Sequence, residues 1–205
     1  MNHPLALTFC TAAALLASAA QAAPTVDTGS PNGVATFAYA FDANDSYAGQ
    51  VTFSEAVEIQ SIATHVLQGA RGETFTIVLY GDGPAFAPTY ARYSTTATFV
   101  ADGWNGVAGL SGWQVGAGRY WVGFEIGSAD TLGTGTGGAL LDRGVPQPLT
   151  RTAFNPGSGY QATSAALDFG LRVETVSAVP EPGSVALMLA GIALIVPVAR
   201  RHPRR

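Results

Sequence analysis

The sequence predicts an all-β fold: a β-sandwich or jelly-roll-like ectodomain set between an N-terminal signal peptide and a single C-terminal transmembrane helix. Three observations carry that expectation. Residues 24–178 repeat short runs of alternating apolar and polar residues, separated by Gly, Pro and Asp turns, with no helical periodicity. Both ends of the chain, by contrast, are continuous apolar runs. Cys10 lies in the first of these, so the exported part contains no cysteine and must rely on an ordinary core rather than on disulfides.

Residues 1–22 read as the signal peptide. The apolar core runs from Leu5 to Ala17, and Ala20-Gln21-Ala22 is the small-x-small pattern that signal peptidase requires, which places the cut before Ala23. The start of the segment has His3 but no Lys or Arg. A lipid-modified Cys10 is rejected, because bulky Phe9 precedes it and the apolar core continues past it.

Residues 23–178 form the ectodomain, long enough for one domain with a sizeable core. Phe37, Tyr39 and Phe41 alternate along one strand; Tyr47, Val51 and Phe53 alternate along the next, with Asp42 to Ser46 as the turn between them. In Val57 to Leu67 the alternation would point Val57, Ile59, Ser61 and Ala63 one way. Phe75, Ile77 and Leu79 follow, ended by the turn cluster Gly81-Asp82-Gly83-Pro84. Arg92 to Ala101, rich in Thr and aromatics, is a further strand. From Arg119 to Ile126, Tyr120, Val122, Phe124 and Ile126 make an apolar face opposite Arg119, Trp121, Gly123 and Glu125. Ala166 to Val176 closes the domain with Leu167, Phe169, Leu171 and Val173 inward. Gly127 to Gly138 reads as a flexible loop and Pro146 to Gly159 as irregular. Seven or eight such strands fit a Greek-key sandwich.

Residues 179–205 read VPEPGSVALMLAGIALIVPVARRHPRR. Pro180 and Pro182 lack N–H donors and push their predecessors out of the α region, so Val179, Pro180, Glu181 and Pro182 should be extended and accessible. Gly183 to Ala199 then gives 17 apolar or small residues, a helix of about 25 Å against about 30 Å of hydrocarbon. Arg200, Arg201, Arg204 and Arg205 form a stop-transfer cluster that the positive-inside rule keeps on the cytoplasmic side.

This order of Val-Pro-Glu-Pro, short apolar helix and terminal arginines resembles the PEP-CTERM protein-sorting domain. The resemblance implies that Pro180, Glu181 and Pro182 are the recognition motif for a membrane-embedded cysteine transpeptidase of the exosortase type, in a Gram-negative bacterium that makes exopolysaccharide. It implies export through the inner membrane, anchoring there by the C-terminal helix, then processing and release to the cell surface or extracellular matrix. Gly116 to Glu125 and the closing Asp168 to Val173 also resemble the final strands of β-sandwich ectodomains that carry such tails.

Chemistry is sparse in the ectodomain. Six arginines, no lysine and 13 acidic residues give it a net charge of −7, which repels phosphate backbones and argues against nucleic-acid binding. His65 is its one histidine and has no nucleophile motif, so it reads as a strand residue with a backbone or solvent partner. No catalytic residue is expected and no cofactor. Asp42, Asn44 and Asp45 offer oxygens to a structural calcium, without the spacing of an EF-hand loop, and Asx residues also serve turns through their own hydrogen bonds. Trp104 and Trp113, with Tyr90, Tyr93 and Tyr160, fall in or near predicted loops where they could stack on sugars, although core burial is the default for such side chains. The expected function is therefore a non-catalytic surface or exopolysaccharide-matrix protein. A cell-retained carbohydrate-binding module is the alternative, and a glycosidase using Glu125 beside Trp121 is third.

Overall fold

A computed structural model of the chain describes residues 24–32, 38–83 and 86–177. The expected signal peptide with Ala20, Ala22 and Ala23, the strand position Phe37, and the whole segment 179–205 with its motif, helix and arginines lie outside the described residues. The described residues are all-β and contain no helix, so none is long and apolar enough to cross a membrane.

The strands are β1 (Pro24–Asp27), β2 (Tyr39–Phe41), β3 (Ser46–Phe53), β4 (Val57–Leu67), β5 (Thr74–Asp82), β6 (Pro88–Thr98), β7 (Gly103–Ala108), β8 (Gln114–Val115), β9 (Gly118–Glu125), β10 (Ala139–Leu141), β11 (Thr152–Asn155), β12 (Gln161–Ala162) and β13 (Leu171–Ser177). They form two open antiparallel sheets. One has the order β1-β13-β4-β10-β2, with β7 and β8 also paired to β4; the other runs β12-β11-β3-β9-β5-β6. β4 organises the first sheet because it is long enough to pair four strands, and β9 takes the centre of the second.

Both sheets turn their apolar residues into one core. Ile59, Ile62, Leu171 and Val173 from the first sheet meet Val51, Phe75, Ile77, Leu79, Val122 and Phe124 from the second in a single cluster of buried side chains. Edge-to-face aromatic pairs cross between them, Phe41 on Phe75 at 5.9 Å and Phe124 on Phe169 at 6.1 Å, a geometry that aligns ring edge with ring face. The inward alternations expected for Tyr47, Val51 and Phe53, for Phe75, Ile77 and Leu79, and for Phe169, Leu171 and Val173 are all found.

β4 departs from the expected alternation. Val57 and Ile59 point inward as read, but Ser61 and Ala63 do not; Ile62, Thr64 and Val66 are the buried residues beyond them. The cause is a bulge: Thr175 of β13 pairs Ile59 while Glu174 pairs Ser61, leaving Gln60 unmatched and reversing the faces. Outside the core, the Ser61 hydroxyl donates to Glu174 Oε2 at 2.8 Å.

Six strands, β1, β7, β8, β10, β11 and β12, are absent from the sequence reading. β11 lies inside Pro146 to Gly159, which was expected to be irregular. β7 is masked in sequence by an inward-facing asparagine: Asn105 is buried, donates to the carbonyls of Ala101 and Gly103, and accepts from the Val100 N–H. β6 begins at Pro88 rather than at Arg92, with Pro88 in the first strand position, where a missing N–H is tolerated on an edge.

The loop 127–138 is pinned by a carboxylate. Glu73 Oε2 accepts from the N–H groups of Ala70 and Gly133, and Oε1 from the Gly135 N–H and the Thr134 hydroxyl. Burial by itself raises this carboxyl, but the three N–H donors and the hydroxyl outweigh it and hold the group below the usual glutamate value. A depressed folded-state pKa contributes stability above the unfolded value, lost as pH falls through the folded one. Glu73→Ala is expected to cost about 2 kcal/mol at neutral pH by leaving those donors unpaired. In thermal melts the gap from wild type should close below the usual glutamate range, and a pH-independent gap would contradict the role assigned to the charge.

Candidate functional site

Among the described residues the densest polar and aromatic constellation is on the face of the six-stranded sheet that points away from the core. Alternation along β9 sends Tyr120, Val122 and Phe124 into the core and Trp121, Gly123 and Glu125 the other way. That second face is not a solvated one. Trp121 is fully buried, packed with Ala48 of β3, Ala153 of β11 and the partly buried Tyr80 and Tyr160.

Small residues make this possible. Ala153, Ala48 and Gly123 stand in one row across β11, β3 and β9, and Tyr160 folds back over that row from the turn after β11. A Cβ on Gly123 would lie 2.9 Å from the Tyr160 hydroxyl and 3.1 Å from Tyr80 Cε2, so the position admits only glycine without rearrangement. Tyr80 and Tyr160 pack edge to face at 5.7 Å. Both hydroxyls donate to one oxygen, Glu125 Oε1, at 2.6 and 2.8 Å. Burial first, and then the Glu125 charge and hydrogen bond, push the Tyr160 phenol well above its ordinary value; burial and the same carboxylate raise Tyr80. Glu125 thus shares the face of Trp121, as expected, and serves there as the acceptor of a two-tyrosine clamp.

The other end of this face is organised by Asp82. Its Oδ1 accepts from the Trp121 indole N–H at 2.9 Å and from Gln50 Nε2 at 3.4 Å, and its Oδ2 pairs with Arg119 Nε at 2.8 Å. Near it stands Phe86, 46% exposed, with two guanidinium groups over its ring: Arg151 at 4.8 Å from the ring centre and Arg119 at 5.7 Å. A cleft of about 250 Å³ opens between Phe86, Trp121 and the segment that carries Arg151 and Ser164.

The two tryptophans singled out as glycan contacts are not brought together. Trp113 is 7% exposed, stacked on Tyr93 at 5.2 Å within the core cluster. Trp104, on β7, lies on the outer face of the other sheet, with Arg172 at 3.9 Å over its ring and His65 against its edge. Tyr90, at 68% exposure, is the most open large aromatic among the described residues.

His65 faces neither a backbone group nor solvent alone. Its Nδ1 is 3.1 Å from Oδ2 of Asp142, which is fully buried, in a geometry too poor for a hydrogen bond. Burial lowers the imidazole pKa against the pull of Asp142, and Arg172 adds to the lowering. At the proposed calcium turn, Asp42 Oδ1 caps the Asn44 N–H at 2.7 Å, and burial and then Asp42 raise the Asp45 carboxyl. No group of three His, Cys, Asp or Glu side chains that could hold a metal occurs among the described residues.

Sequence reasoning placed Glu125 beside Trp121 and noted Tyr160, but not that Tyr160 meets them, nor that Asp82 and Phe86 belong to the site. A signal was present in the small residues Ala48, Gly123 and Ala153, which mark a close approach over the sheet only once their register is known.

Comparison with known families matches residues 178–205 to the PEP-CTERM protein-sorting motif. Comparison with curated proteins gives no match. The chain therefore carries a PEP-CTERM sorting motif behind a β-rich domain, and the motif implies export, recognition by an exosortase and C-terminal membrane anchoring or processing.

Trp121→Ala is expected to cost about 3–5 kcal/mol, the range for a fully buried aromatic. Denaturant titration of the full chain checks this, and a loss below about 1 kcal/mol would show that the outer face is not packed as described.

Proposed function

We propose that this chain is an exported, non-catalytic surface or exopolysaccharide-matrix protein, processed at Pro180, Glu181 and Pro182 by an exosortase-type transpeptidase. The observation that carries the reading is the sorting-motif match over residues 178–205. It begins one residue after β13 ends at Ser177, so the ordered domain and the sorting segment abut. Only Ala178 and Val179 separate Ser177 from Pro180, a reach of about 10 Å when extended.

The finer architecture follows the same logic. Two open antiparallel sheets that share one core favour a β-sandwich or jelly-roll ectodomain over residues 23–178. β1 starts at Pro24, directly after the cut expected before Ala23, and pairs with β13, so removal of a signal peptide would leave the first strand intact. In this reading the transpeptidase is the enzyme and the chain its substrate. The paired acids of a glycosidase find no support, since Glu125 is occupied by two phenols.

Mass spectrometry of the protein recovered from native cells tests the proposal. The expected species begins near Ala23, ends near Pro180 to Pro182 and fractionates outside the inner membrane. Glu181→Ala should hold the chain intact in the inner membrane. A wild-type chain that still ends at Arg205 and stays in the inner membrane would replace sorting with permanent anchoring.

A further inference from the structure

The cleft on the outer face of the six-stranded sheet has the groups of a binding site, and the geometry points to a carboxylated sugar, a uronate residue of a glycan, as its ligand. The inference stands on the domain itself and does not depend on the sorting segment.

Three properties of the cleft select that ligand. The first is an apolar plate: Phe86 is 46% exposed, carries the Arg151 and Arg119 guanidinium groups over its ring, and is held by its N–H, which donates to the Gly83 carbonyl at 3.0 Å. Its φ of 53° places a bulky residue in the left-handed region, a cost that persists only where the surroundings enforce it. The part of the ring that the guanidinium groups leave exposed can receive the C–H face of a pyranose ring.

The second is an uncommitted cation. Arg119, Arg143 and Arg172 are each paired with a carboxylate, whereas Arg151 has no ion pair among the described residues and lies over Phe86. Its planar fork matches a carboxylate bidentately. Asp82, the nearby acid, does not compete for it, since its oxygens are taken by Trp121, Gln50 and Arg119. The domain is acidic as a whole, but charges beyond about 10 Å are screened at ordinary ionic strength, so the near guanidinium sets the local field.

The third is a hydroxyl rim. Thr150 and Ser164 line the cleft, are exposed, and have no hydrogen-bond partner among the described residues. Thr163, by contrast, is already bonded to Thr152 at 2.7 Å. Aromatic plate, guanidinium and free hydroxyls together satisfy the ring face, carboxylate and hydroxyls of one uronate. The volume of about 250 Å³ accepts a single ring, with the rest of the glycan running out along the surface.

Calorimetric titration of the full chain in a non-ionic detergent with tetragalacturonate, with neutral cellotetraose as the matched probe, tests this. Saturable binding of the uronate at least tenfold tighter than cellotetraose is expected. Arg151→Ala and Phe86→Ala should each weaken it at least tenfold, and Ser164→Ala roughly fivefold, the worth of one hydrogen bond. Arg71→Ala, which removes an exposed arginine away from the cleft, should leave it unchanged. Absence of saturable uronate binding, equal binding of the neutral probe, or full affinity in Ser164→Ala and Arg151→Ala would overturn the assignment. A tetraglutamate peptide binding as tightly as the uronate would also overturn it.

Discussion

Burial of β9 on both faces is the constraint on which the rest of this structure depends. A central strand of an open antiparallel sheet ordinarily has one wet face. Here Val122 and Phe124 fill the core while Trp121, fully buried, is enclosed on the opposite side. Enclosure needs a cover, and the cover is the turn between β11 and β12, seated by Tyr160 over Ala153, Ala48 and Gly123. The cleft beside Phe86 is the space this cover leaves open.

The acidic composition finds its use in the same geometry. The domain has no lysine and few arginines to neutralise 13 carboxylates, yet several of these act as local acceptors rather than as a diffuse charge. Glu73 gathers three backbone N–H groups and ties down the glycine-rich loop. Glu125 takes two phenols, Asp82 an indole, an amide and a guanidinium, and Asp130 the Thr76 hydroxyl and the Gly127 N–H. Charge-assisted bonds of this kind fix loops in a domain that has no disulfide to do so.

Much of the fold was legible in the sequence because apolar alternation has period two and the long strands obey it. β3, β5, β9 and β13 were all found, each with its inward residues. What failed has particular causes. The bulge at Gln60 reverses the faces of β4 at a point where either phase leaves a plausible pattern, Ser61 and Ala63 or Ile62 and Thr64. Asn105 puts a polar residue inward because it satisfies three backbone groups. β10 and β12, at three and two residues, are too short to show a period. The candidate site was less legible, since it is assembled from β3, β5, β9 and the β11–β12 region, and only the register of the sheet sets Gln50, Tyr80, Trp121 and Arg151 in one row. The sorting motif was readable from sequence for the opposite reason: its elements are contiguous, and it is matched as a linear segment.

Native-state hydrogen exchange on the full chain tests the central claim about β9 most directly. If both faces are packed as described, the amides of Tyr120 to Phe124 exchange only through global unfolding and share the highest protection in the domain, whereas the exposed edge strand β6 opens locally. Protection in β9 no greater than in β6, or lost independently of the core, would mean that the cover carried by Tyr160 does not close the outer face, and both the enclosure of Trp121 and the cleft built on it would fall.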